Sequence, residues 1–150
     1  MICQQKRPHF LVEDAALAVD VGAFTRAGIF DLGDVAGTVS VAENSMAFAV
    51  QHRGEEGPLV RLACTVETGG ARRQVRAVIP IVTTKQRIGS RRWWACPSCA
   101  RRVQVLYLAP GAEEMCCRVC GRLIHRSAAE HTYRNRPPHL RRWVQGQLNG

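Results

Sequence analysis

The chain has 150 residues, 46% of them apolar, and a formal net charge of +9; this suits one ordinary domain or two small ones and is too apolar for a disordered segment. No run of about 18 apolar residues occurs, which argues against a membrane-spanning helix. Phe10-Leu11-Val12 is cut off by Glu13-Asp14 before it can act as the apolar core of a secretory signal, so a cytoplasmic location is expected.

Taken in order, Asp14 to Ala27 reads as a short helix, because Leu17, Val21 and Phe24 recur at helical spacing and Gly28 follows as a C-terminal stop. From Thr38 the period changes to two. Strands are expected at Thr38–Val41, Met46–His52, Leu59–Glu67 and Arg72–Thr84, separated by the turn-forming Glu43-Asn44-Ser45, the loop 53–58 and the tight turn Thr68-Gly69-Gly70. Ile88-Gly89-Ser90 ends that antiparallel meander. Arg91–Ala95 is then a strand leading into a pair of cysteines, Val103–Leu108 a strand leaving it, and Pro110-Gly111 a turn back toward a second pair. After Ser127 the chain looks helical, broken at Pro137-Pro138. His139–Leu148 forms a short basic helix with Leu140, Trp143, Val144 and Leu148 as its apolar stripe. The expected fold is α+β and mainly β: a helix and a small antiparallel sheet over 1–88, a zinc ribbon over 89–127, and a basic helical tail over 128–150.

Cys96-Pro97-Ser98-Cys99 and Cys117-Arg118-Val119-Cys120 are two Cys-x-x-Cys knuckles 17 residues apart. Thiols stay reduced in the cytosol, where paired knuckles favour a metal over a disulfide frame. Structural zinc takes four ligands tetrahedrally, and two knuckles facing each other from hairpin turns supply them. Cys96, Cys99, Cys117 and Cys120 are therefore the expected ligands of a structural zinc ion. A pair of redox dithiols is the competing reading, and four thiolates leave no open position for a catalytic metal. Cys116 would give the wrong spacer with Cys120 and is expected to face away. His125, five residues beyond Cys120, is a conceivable ligand but more simply a neighbour of a closed shell. Gly121 stands where a positive backbone angle is often needed. Cys64 reads as a buried strand residue and Cys3 as a mobile terminal thiol.

The charge is uneven. Residues 1–84 hold 8 Lys and Arg against 9 Asp and Glu, whereas residues 85–150 hold 13 against 3. Codon usage accounts for 19 Arg beside 2 Lys, but not for the scarcity of acids after position 84. A basic half coinciding with a metal motif points to an anionic partner, most commonly nucleic acid. Arg91, Arg92, Arg101 and Arg102 flank the first knuckle, Arg118, Arg122 and Arg126 flank the second, and Arg141 and Arg142 sit on the tail helix; these are the candidate phosphate ligands. Trp93, Trp94 and Tyr107 are candidate stacking surfaces, although adjacent strand residues face opposite ways and at least one tryptophan should be core. No phosphate-binding loop, nucleophile elbow or His-Glu-x-x-His motif is present, and acids are too sparse near the ribbon for a magnesium site, so neither an enzyme nor a small-molecule substrate is expected.

The motif Arg92-Trp93-Trp94-x-Cys96-Pro97-x-Cys99-x-Arg101-Arg102-Val103, then Leu106-Tyr107-Leu108, then Cys117-Arg118-x-Cys120-x-x-Leu123, resembles a family of uncharacterised bacterial and phage zinc-ribbon proteins. Asp20-Val21, Arg26-x-Gly28 and the Arg-rich end, Arg141-Arg142 to Gly150, match it more loosely. Met115 and Ile124 stand where that family usually has aromatics, which leaves the metal ligands untouched. The resemblance implies fold and metal rather than activity, and a context on mobile or phage-derived DNA. A protein–protein adaptor acting on a host protein is accordingly the alternative to a nucleic-acid-binding role.

Overall fold

The computed structural model describes residues 10–41 and 43–135. Cys3, the Pro137-Pro138 break, the His139–Leu148 helix, Arg141 and Arg142 lie outside those residues. In chain order the elements are β1 (Phe10–Leu11), β2 (Leu17–Asp20), α1 (Val21–Arg26), β3 (Val35–Val41), β4 (Asn44–His52), β5 (Pro58–Thr68), β6 (Ala71–Lys85), β7 (Ser90–Ala95), β8 (Arg102–Val103), β9 (Val105–Leu108), β10 (Leu123–Ile124) and α2 (Arg126–Asn135). The fold is mainly β.

Strands β3 to β8 form one six-stranded antiparallel sheet in sequence order. Its turns are those that the sequence chemistry demands. Gly69 and Gly70 both sit at positive φ, 59° and 80°, between the paired ends Thr68 and Ala71; a two-residue hairpin of this hand favours glycine at both positions. Alternation sends Met46, Phe48, Val50, Val60, Leu62, Cys64, Val66, Val75, Ile79, Ile81 and Trp94 to one face, where all are buried. The division expected at 88/89 falls in the β6–β7 hairpin turn, and the ladder runs on through it from Ile81↔Trp94 to Lys85↔Ser90.

The helix expected over Asp14–Ala27 is shorter than its spacing suggested. Leu17–Asp20 is a strand, and only Val21–Arg26 is helical. Leu17, Val21 and Phe24 are indeed buried, but so is Val19, with Ala18 exposed between them. That alternation is a strand pattern, and it takes hold because Leu17–Asp20 pairs antiparallel with Val105–Leu108. Asp20 then caps α1, its Oδ1 accepting the Gly22 N–H at 2.7 Å, and Gly28 follows at φ 70°. The strand expected over Val103–Leu108 is split: β8 ends the large sheet, the chain bends at Gln104, and β9 leaves to pair with β2.

The segment before α1 is thus bonded to the metal-motif half rather than to the meander it precedes. Besides β2 on β9, β1 lies parallel to β10, with Phe10 opposite Leu123 and Leu11 opposite Ile124. One core joins the large sheet, β2, α1, β9 and the cysteine knuckles. Phe24 packs edge-on against both Phe48 (centroids 5.5 Å) and Trp94 (5.4 Å), and the same cluster takes in Leu106, Leu108, Met115, Cys96, Cys99 and Cys117.

Candidate metal centre and its arginine surroundings

The first knuckle is the tip of the β7–β8 hairpin. Cys96 N donates to Arg101 O at 2.9 Å and Ala100 N to Cys96 O at 2.8 Å, closing a turn in which Ala100 takes φ 62°. In the second knuckle Gly121 N donates to Cys117 O at 2.9 Å and Leu123 N to Arg118 O at 2.9 Å. There the left-handed residue is Arg122, at φ 59°, rather than Gly121. A Cβ at Gly121 would meet Cys116 Sγ, Cys117 O and Ala109 Cβ at 3.4–3.5 Å, ordinary contact distances. The chain returns from first knuckle to second through the expected turn: Ala112 N donates to Ala109 O at 3.0 Å around Pro110 and Gly111, with Gly111 at φ 74°, the arrangement of a type II turn. A two-way bridge, Tyr107 N to Cys116 O at 2.8 Å and Cys116 N to Tyr107 O at 2.9 Å, then sets Cys117 beside Cys96.

The ligand atoms of Cys96, Cys99, Cys117 and Cys120 all lie within 4.8 Å of one another. Cys99 Sγ and Cys117 Sγ are 3.8 Å apart, equal to the edge of a tetrahedron with metal–sulfur bonds of about 2.3 Å, which is about 3.8 Å. These four residues can hold a metal ion. Three of the four are buried, and Cys120 is half-buried. Cys117 N donates to Cys96 Sγ at 3.2 Å and Cys120 N to Cys117 Sγ at 3.4 Å. Donors aimed at sulfur favour thiolate. The Cys96 thiol is held down to about 4, chiefly by the hydrogen bond from the Cys117 thiol and further by the N–H groups of Cys117, Cys99 and Ser98, against burial. Cys117 is raised for the converse reason: its proton is held on the Cys96 sulfur, and burial adds to this. Two close, buried thiols resist ionising together, and a bound cation favours both as thiolates. That donor set suits a soft, tetrahedral metal such as zinc.

The remaining cysteines behave as their positions require. Cys116 is half-buried and outside the cluster. His125 is exposed and also outside it, its carbonyl accepting the Ala129 N–H at 3.0 Å at the start of α2. Cys64 is buried in β5, and burial raises its thiol above the ordinary value.

The candidate arginines have different fates. Arg126 grips Glu13, Nη2 to Oε2 at 3.2 Å, tying α2 to the segment after β1. Arg92 pairs with Asp31 at 3.1 Å and lies 5.3 Å above the Phe30 ring. Arg118 donates to Leu123 O at 3.3 Å inside its own knuckle. Arg122 is half-buried at its left-handed position. Arg101 and Arg102 are exposed directly after the first knuckle, and Arg91 is exposed at the far end of β7. Trp94 is fully buried, with Nε1 donating to Val19 O at 2.9 Å, so it has no surface on which a base can stack. Trp93 is half-buried, its Nε1 on Thr84 Oγ1 at 2.9 Å, and the Arg91 guanidinium covers its ring at 3.9 Å. Tyr107 is half-buried in β9.

The uneven charge along the chain does not single out Arg61 and Arg76. Both are exposed on the solvent face of the sheet. The signal that could have found them is the alternation of β5 and β6, which places them opposite in phase to Leu62 and Val75.

Among the described residues no helix is long and apolar enough to cross a membrane. No family model matches the chain, and neither the curated proteins nor the solved structures contain a significant match.

Proposed function

We propose that the four thiolates hold a structural zinc ion and that the protein binds nucleic acid through arginines exposed beside the zinc ribbon. The observation that carries the reading is that Arg91, Arg101 and Arg102 are exposed and form no ion pair among the described residues, in a half holding 13 basic residues against 3 acidic ones. Zinc staples the hairpin tip that presents Arg101 and Arg102, because a basic segment with few large apolar residues gains folding energy from metal. On this reading the chain is a zinc-ribbon protein of the kind its motif resembles, acting in the cytoplasm. The test is a salt titration of binding to single- and double-stranded oligonucleotides. Affinity should fall steeply with salt as counterions are released, and binding that is absent at low salt, or indifferent to salt, refutes it.

A second reading, a protein–protein adaptor, draws on the edge of the sheet. β3 pairs only with β4 among the described residues, and its seven residues, Val35–Val41, carry no charge and no proline. Such an edge can accept a partner strand. Stoichiometric co-purification of one protein after nuclease treatment would favour this reading, and a clean monomer would count against it.

A further inference from the structure

The six strands carry one carboxylate, Glu67, and it is already engaged by Arg72 at 2.8 Å. Register shows where the basic residues of the same strands go. Leu62, Val75, Ile79 and Trp94 face the core, so Arg61, Arg72, Arg76 and Arg91 face the other way, and Arg102, opposite Ala95, shares that outer face. Arg61, Arg76, Arg91 and Arg102 are all exposed. Between Arg61 and Arg76 lies a shallow groove of about 320 Å³ floored by Ala47, Ala49, Ala63 and Val78, with Val78 48% exposed. At the other end the Arg91 guanidinium sits over the Trp93 ring, 3.9 Å from its centroid, and donates to Gln104 Oε1 at 2.6 Å. Arg76 and Thr84, the partner of Arg91, are eight residues apart on β6, so the arginines span about 26 Å at about 3.3 Å per residue.

We propose that this outer sheet face is a binding surface for a single-stranded polynucleotide, with Arg61, Arg76 and Arg102 on phosphates and the bases over the apolar floor and the Arg91 guanidinium that covers Trp93. The inference rests on the nucleic-acid reading and deepens it by naming the surface and the strandedness. Charge complementarity selects the occupant: outward cations along an apolar strip, with no unpaired carboxylate on any of the six strands, suit a polyanion whose backbone can be gripped while its bases lie flat. Among the described residues no helix stands on this face to enter a duplex groove, whereas single strands bind on open sheets. The methyl floor has neither donor nor acceptor to sense a 2′-hydroxyl, so DNA and RNA should bind alike.

The test uses the full chain loaded with zinc, and oligothymidylate, oligouridylate and a mixed-sequence duplex as probes. The double variant Arg61→Ser/Arg76→Ser is compared with Arg26→Ser/Arg87→Ser, which removes the same charge from α1 on the other side of the sheet and from the β6–β7 turn. All four side chains are exposed, and matching urea midpoints will establish that both variants fold. The outer-face pair should weaken single-strand binding at least tenfold at low salt and reduce the slope of log K against log salt by about 1.4, at about 0.7 for each phosphate no longer neutralised. The control pair should keep the wild-type slope, the two single strands should bind within about threefold of each other, and the duplex should bind more weakly. Wild-type binding that survives the outer-face substitutions, falls equally in both variants, or prefers the duplex overturns this surface alone. A wild-type protein that binds none of the probes overturns the nucleic-acid reading with it and leaves an acidic protein as the ligand of the arginine face.

Discussion

Trp94 joins the large sheet, the N-terminal segment and the metal motif, and its replacement measures how tightly they are joined. The ring is fully buried, edge-on to Phe24 at 5.4 Å, and opposite Ile81 and Val103 in its two neighbouring strands. Its Nε1–H bonds Val19 O in β2 at 2.9 Å, and Trp94 itself stands two residues before Cys96. Trp94→Phe removes one hydrogen bond, worth about 0.5–1.5 kcal/mol. It also opens roughly 40 Å³, which at about 24 cal/mol per Å³ adds about 1 kcal/mol. The expected loss is therefore about 1.5–2.5 kcal/mol. Trp94→Ala should lose about 4–6 kcal/mol once the larger cavity is included, a large share of the 5–15 kcal/mol typical of a domain. Urea unfolding of the metal-loaded protein gives both values from the shift in midpoint at constant slope. A loss below about 0.5 kcal/mol for Trp94→Phe would refute the argument, because no buried, hydrogen-bonded indole is so easily dispensed with.

Elemental analysis should find one zinc per chain, and Cys120→Ser or a chelator should release it and lower the cooperativity of unfolding; a variant that stays cooperatively folded without metal contradicts a structural role. Arg73 faces inward, opposite Val66, and its Nε is buried without a partner among the described residues. Arg73→Met should thus be neutral or stabilise by up to about 1 kcal/mol in the same urea assay, and a loss above about 1 kcal/mol would mean that the guanidinium is satisfied. Burial holds the pKa of the Cys64 thiol above its ordinary value. Its protonated form is favoured by folding, so the stability it contributes is full below that value and is lost as pH rises through the raised pKa, when the unfolded chain ionises first. Native protein at pH 8 should accordingly protect Cys64 from alkylation and lose stability at alkaline pH, whereas Cys64→Ala should flatten that alkaline limb. An unchanged limb would contradict the assignment.

Much of this architecture is written in local sequence. Period-two alternation with Gly69-Gly70 and Gly89 at the turns sets the meander and its register, since a slip of one residue would turn Phe48, Leu62 and Ile79 to solvent. Two Cys-x-x-Cys knuckles around a Pro-Gly turn define the ligand set, because ligand count and spacing are properties of the chain. Local sequence was least informative for residues 14–27. There Leu17, Val21 and Phe24 satisfy a helical period while Leu17 and Val19 satisfy a strand period, and only the pairing of β2 with β9, more than 80 residues away, selects the strand. The same long-range pairings, β1 on β10 and β2 on β9, weave the N-terminal segment into the half that carries the cysteines. Tertiary structure alone also decided which arginines remain available. Arg92, Arg118 and Arg126 are absorbed by Asp31, a knuckle carbonyl and Glu13, while Arg61 and Arg76 emerge on an acid-poor face. Charge can be counted along the chain, but which charges are neutralised depends on partners brought together by folding, up to 113 positions apart in the case of Arg126 and Glu13.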